Sequence, residues 1–258
     1  MPIQYVGGVQ GGRAGATSTL AVSLNGTLSG GLATSPAAKD FVVVTVALAT
    51  TETYAPTGDL AVTTAGYVSQ SMFAPTALTY CAFLQISYKF MPSTPDTDFT
   101  VPSCGSVRNA QRWIAKVYRN VHIAEPLGLS DLGNYYSFTN NSGRPLGSAI
   151  TPSSWDNLNR GIWICTSYAQ AAGTGIAFTD PGGLDNWLGG TTADTYDIML
   201  GNGDYTSWTS GLYQAPDITA GGTTGANDSG ISYQIMLRPV TVGIFQSPTN
   251  HLMHILTR

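Results

Sequence analysis

Any acid–base chemistry in this chain would have to come from aspartates. Thirteen of its fifteen acidic residues are Asp, and Glu52 and Glu125 are the only glutamates. Most of these aspartates stand in turn contexts such as Thr57-Gly58-Asp59, Thr94-Pro95-Asp96 and Asp180-Pro181-Gly182, where a short carboxylate caps nearby backbone N–H groups. The densest grouping is Asp194, Asp197 and Asp204, with Asp96 and Asp98 next. A calcium cage needs roughly six to eight oxygen ligands at regular loop spacing, and neither group has that spacing. Glycoside hydrolysis needs two carboxylates across a sugar-sized cleft, a pairing that linear spacing leaves open. There is no G-x-S-x-G elbow, and His122, His251 and His254 have no triad partners in sight. His251 and His254 are spaced to share a metal on a helix but lack Cys or acidic companions. Cys81, Cys104 and Cys165 show no metal spacing and are read as mostly buried thiols. The expectation is therefore no enzyme, with no catalytic, cofactor-binding or metal site.

Aromatic side chains give a different lead. Tyr135, Tyr136, Trp155, Trp187, Trp208 and Tyr213 fall in Asp-, Asn- and Ser-rich stretches that read as loops. Flat rings beside short polar groups suit subunit interfaces and glycan contact alike. Trp113 and Trp163 lie in strand-like runs and are expected in the core. Phe245, Leu252, Met253 and Ile255, near the C-terminal end, are too apolar for an idle tail and are expected to dock on the body or on a neighbouring subunit.

The elements that must carry these residues read as strands. Charged residues make up 10% of the chain, against roughly 25% in ordinary soluble domains. Thr, Val, Tyr and Gly dominate instead, which suits strands joined by tight turns. Residues 41–49 form a β-branched run with both faces covered, and 80–90 alternate. Residues 110–121 are a strand because aromatic and β-branched residues prevail there. Residues 162–168, 196–200 and 231–237 complete the strong strands, and Asn25-Gly26 and Asn202-Gly203 signal turns. The formal net charge of −4, with basic residues approaching a cluster only at Arg108, Arg112, Lys116 and Arg119, argues against nucleic acid. Their spacing suits one sheet face or a structural ion pair. Met1 opens a polar, glycine-rich stretch unlike a signal peptide, and no apolar run is long enough for a bilayer. Synthesis in a cytoplasm with no membrane insertion is the expectation.

The strands come twice in similar order. Val42-Val43-Val44-Thr45-Val46 resembles Ile162-Trp163-Ile164-Cys165-Thr166, Thr79-Tyr80 resembles Thr195-Tyr196, and Val117-Tyr118-Arg119-Asn120-Val121 aligns with Met236-Leu237-Arg238-Pro239-Val240. The expected fold class is all-β, a jelly-roll-like antiparallel β-sandwich with pseudo-repeats at about 41–121 and 161–240; two tandem sandwiches are the alternative. Residues 1–16 read as a flexible arm, 17–242 as the sandwich and 243–258 as the docking tail.

The opening VGGVQGGRAGATSTLAVSLNGTLSGG, the segment ISYKFMPSTPDTDFTVPSCGS and the closing IMLRPV resemble small β-sandwich proteins of tailed-bacteriophage and prophage structural modules. The resemblance implies a virion structural subunit of fibre, spike or capsid-decoration type. It would be made in the bacterial host, form a homo-oligomer, most simply a trimer, and contact other virion proteins and host-surface carbohydrate. It carries no functional residues with it, and the segment from residue 243 onward departs from the pattern. The competing expectation is a carbohydrate-active enzyme or lectin on a jelly-roll scaffold, since the fold hosts both uses.

Overall fold

β-Branched and aromatic residues gather in runs of about ten, and the computed structural model forms strands there. It describes residues 1–15, 17–50, 60–69, 80–103, 110–124, 126–132, 136–139, 160–171, 180, 182–208 and 229–240. The first half holds β1 (Gln4–Arg13), β2 (Leu20–Ser23), β3 (Phe41–Thr50), β4 (Val68–Ser69), β5 (Cys81–Phe90), β6 (Asp98–Val101) and β7 (Gln111–Arg119). The second holds β8 (Leu127–Leu132), β9 (Tyr136–Thr139), β10 (Arg160–Ala171), β11 (Asp185–Thr192), β12 (Tyr196–Trp208) and β13 (Ser229–Leu237). Among the described residues there is no helix, and the strands pair antiparallel, so the chain is all-β.

The first sheet runs β1-β7-β3-β5-β4 and the second β11-β12-β10-β13-β8, with β9 also on β13. These are one order read in opposite directions: β3 stands to β5 and β7 as β10 stands to β12 and β13. The register agrees as well. Thr45 pairs with Ile86 and Ile114 in the first sheet, and Cys165 pairs with Asn202 and Tyr233 in the second. Among the described residues each half therefore supplies one of the two large sheets, which face each other; the strands of the halves do not interleave within a sheet, nor does each half close its own sandwich. Contacts across the gap follow an approximate two-fold relation: β10 meets β5 as β3 meets β12, and β12 meets β7 as β5 meets β13.

Period two sets the layers. Phe41, Val43, Ala47, Leu84, Ile86, Ile114 and Tyr118 point into the gap and meet Ile198, Leu200, Ile231, Tyr233, Ile235 and Leu237. The opposite face of the first sheet, with Val42, Val44, Val46, Trp113, Ala115 and Val117, is covered by the β2–β6 ribbon and by Leu24, Leu28, Leu60 and Met91. Covering on both sides explains why every residue of β3 is buried.

Two sequence expectations need correction. The glycine-rich opening is no free arm: Gln4–Arg13 is an edge strand on β7. Its glycines let neighbours close in, as at Gly11, where an added Cβ would lie 2.6 Å from the Trp113 ring. Part of its outer edge is closed by reciprocal Gly8–Ser29 backbone bonds of 3.0 Å. Asn202-Gly203 makes no turn, because it lies inside β12 with Asn202 fully buried. Asn25-Gly26 does turn, with Gly26 at φ 72°, but β2 pairs with β6 and forms no hairpin there.

Candidate functional site

Strand periodicity carries Lys116 into the gap between Ile114 and Tyr118 on β7. On β12 the face of Ile198 and Leu200 continues through Asn202 and Asp204. The two charged groups meet there: Lys116 Nζ lies 3.2 Å from Asp204 Oδ2, with side chains 0% and 1% exposed. Tyr118 OH donates to the same oxygen at 2.6 Å, and Asn186 Nδ2 donates to Asp204 Oδ1 at 2.7 Å. The Tyr5 ring lies 5.6 Å from the Lys116 ammonium, within cation–π range. Asn186 reaches the cluster because the β11–β12 register shifts between Asp185 and Leu188, and its own backbone is left-handed at φ 52°. A bulge of this kind re-aims a side chain.

Burial raises Tyr118 and Tyr5 above the ordinary phenol value of 10.0, and the Asp204 charge adds to both. A phenol held protonated in the fold binds a proton the unfolded chain gives up above pH 10, so stability is full below that pH and falls above it. We expect the urea midpoint to decline from about pH 10 upward, with tyrosinate absorbance for Tyr118 appearing only on unfolding. A flat midpoint through that range would contradict the burial of these hydroxyls.

A second polar group lies at one end of the first sheet. Asp40, 1% exposed, takes Arg119 Nε and Nη2 at 2.8 and 2.9 Å, and hydrogen bonding to Asp40 raises the Arg119 pKa. These two residues, with Lys39, Asn120, Ile123 and Val240, border an open pocket of about 380 Å³. Near it His122 N donates to Arg238 O; burial and then the Arg238 charge lower the His122 pKa. The basic series of the sequence thus divides: Arg112 and Lys116 face the second sheet, with Arg112 bonding Gln10 and Thr191, while Arg119 pairs with Asp40. Arg108 lies outside the described residues.

The aspartate grouping divides too. Asp194 accepts from Gly15 N, Asp197 accepts from Asp194 N, and Asp204 belongs to the buried cluster. Among the described residues no group of His, Cys, Asp and Glu has metal-holding geometry. Cys81 is buried. Trp187, Tyr136 and Trp208 stand in strands β11, β9 and β12, not in loops; ring propensity for strands outweighs the turn-like flanking residues. Trp187 is half-buried and lies against Gly189 and Gly203. Tyr135, Trp155, Tyr213, Phe245, Leu252, Met253 and Ile255 lie outside the described residues. No family model, curated protein or solved structure matches the chain.

Sequence alone reads Asp204 as a turn or edge-strand residue and Lys116 as one of a loose basic series. The missed signal was alternation: Ile198, Leu200, Asn202 and Asp204 share one face, as do Ile114, Lys116 and Tyr118.

Proposed function

We propose that the chain is a non-enzymatic structural subunit of a tailed-bacteriophage virion, exposed on the particle as a fibre, spike or decoration protein and self-assembling there. The observation that carries this reading is where the charges go. Two of the three lysines of the chain, Lys89 and Lys116, are tied to aspartates of the same body, as is Arg119. Ties of this kind fix one conformation and leave a weakly charged exterior suited to broad contact with copies of itself and with other virion proteins. Immunogold labelling of intact particles tests it: label on heads or tails is expected, and particles free of the protein would refute it.

Trp187, resting on Gly189 and Gly203 at an edge strand, is the described aromatic best placed for subunit or host-glycan contact. Trp187→Ala is expected to keep the circular dichroism of the fold while reducing assembly or glycan attachment. Loss of the folded spectrum would make Trp187 a core residue instead.

One observation favours a second reading, a lectin. The pocket sets Lys39 and the Asp40-paired Arg119 beside the exposed Ile123, two cationic side chains that suit an acidic sugar. A glycan array with uronic-acid and neutral sugars separates the two readings, since retention of acidic glycans alone is the lectin's signature.

A further inference from the structure

Lys116, Asp204 and Asn186 bring an amine, a carboxyl group and a carboxamide together in a nearly water-free gap. Asp204 touches the other two at once, Lys116 Nζ through Oδ2 at 3.2 Å and Asn186 Nδ2 through Oδ1 at 2.7 Å. Lys116 and Asp204 are buried among Tyr5, Tyr118 and apolar side chains of both sheets. Separated charges in such a medium are costly, so passing a proton from Nζ to Oδ2 gives a neutral amine, which is a nucleophile, beside a carboxylic acid. Asn186, hydrogen-bonded to the same carboxylate, is the neutral electrophile. The shifted register and left-handed backbone that turn it inward are strain of a kind that gathers at functional sites.

We propose that Lys116 and Asn186 become joined by an intramolecular isopeptide bond, with Asp204 handling the protons. Asp204 takes one proton from the Lys116 ammonium. The freed amine attacks Asn186 Cγ, and the carbonyl electron pair moves onto Oδ1. Asp204 relays a proton from Nζ to Nδ2, the carbonyl re-forms, and the Cγ–Nδ2 bond breaks. The nitrogen leaves as ammonium, carrying the proton Asp204 first took, and Asp204 ends as it began. No oxidant, reductant or cofactor enters the balance. Asn186 is only partly buried, which gives the ammonium a way out. The bond ties β7 of the first sheet to β11 of the second, and so fastens the two halves of the chain together.

Mass spectrometry of the intact full-length protein, followed by proteolytic mapping, tests this. The expected result is a mass lower than the sequence requires by one ammonia, with a branched peptide joining Lys116 to Asn186. Lys116→Arg should restore the full mass, which excludes simple succinimide formation at Asn186, and Asp204→Asn should do the same while keeping both reacting residues. Should either variant fail to fold, the wild-type map still decides. An unshifted wild-type mass overturns the proposal. So does loss of one water with Lys116 joined to Asp204, or a branch ending on Asn202.

Discussion

With Lys116 and Asn186 unlinked, Asp204→Ala lowers the unfolding free energy by about 3–5 kcal/mol, the cost of leaving one charge of a buried pair without its partner. Lys116 and Tyr118 both lose the oxygen they share, at 3.2 and 2.6 Å, and Asn186 loses its acceptor. Lys116 and Tyr118 have no solvent to turn to in the gap between the sheets. Urea unfolding followed by circular dichroism gives the number. Lys116→Met combined with Asp204→Leu recovers part of the loss, because apolar residues of similar volume tolerate the same space without desolvating a charge. Asn186→Ala separates the effects, since it removes the proposed covalent link and leaves the ion pair. A loss under about 1 kcal/mol for Asp204→Ala would place the pair in water, as surface pairs contribute no more than that.

Phe41→Ala carries a comparable penalty, about 3–5 kcal/mol, from lost transfer energy and the cavity left behind. Phe41 is fully buried at the start of β3, its ring 4.8 Å from Phe90 and 5.5 Å from Tyr88 between centroids. Its backbone pairs on one side with Phe90 and on the other with Tyr118. Both neighbours are held in the sheet ladder and cannot collapse into the space. Thermal or urea unfolding reads the change, and a loss near 1 kcal/mol would mean that the site closes up or that Phe41 faces solvent.

Much of this architecture is legible in the residues. Val42-Val43-Val44 and Ile162-Trp163-Ile164 mark the central strand of each sheet, and the pairs Thr45–Ile86 and Cys165–Asn202 show that sequence likeness and register coincide. Strand alternation alone does not say which sheets will face each other, so the division into one sheet per half is not visible in it. Glycines at 7, 8, 11 and 12 read as a loose arm because local propensity is silent about Trp113, which packs on Gly11. Asn202 and Asp204 read as turn residues because Asn-Gly is a strong local signal. The tertiary partner of Asp204, Lys116, is far away in the chain. Distant partners of this kind, and the bulge that turns Asn186 inward, are where the buried cluster hides from the sequence.

The proposed subunit is a β-sandwich of low charge content that packs against copies of itself. Sedimentation velocity of the purified chain at micromolar concentration tests that most directly. A stable homo-oligomer, with the mass of a trimer, is the predicted result; a single monomeric species over the whole concentration range would contradict it.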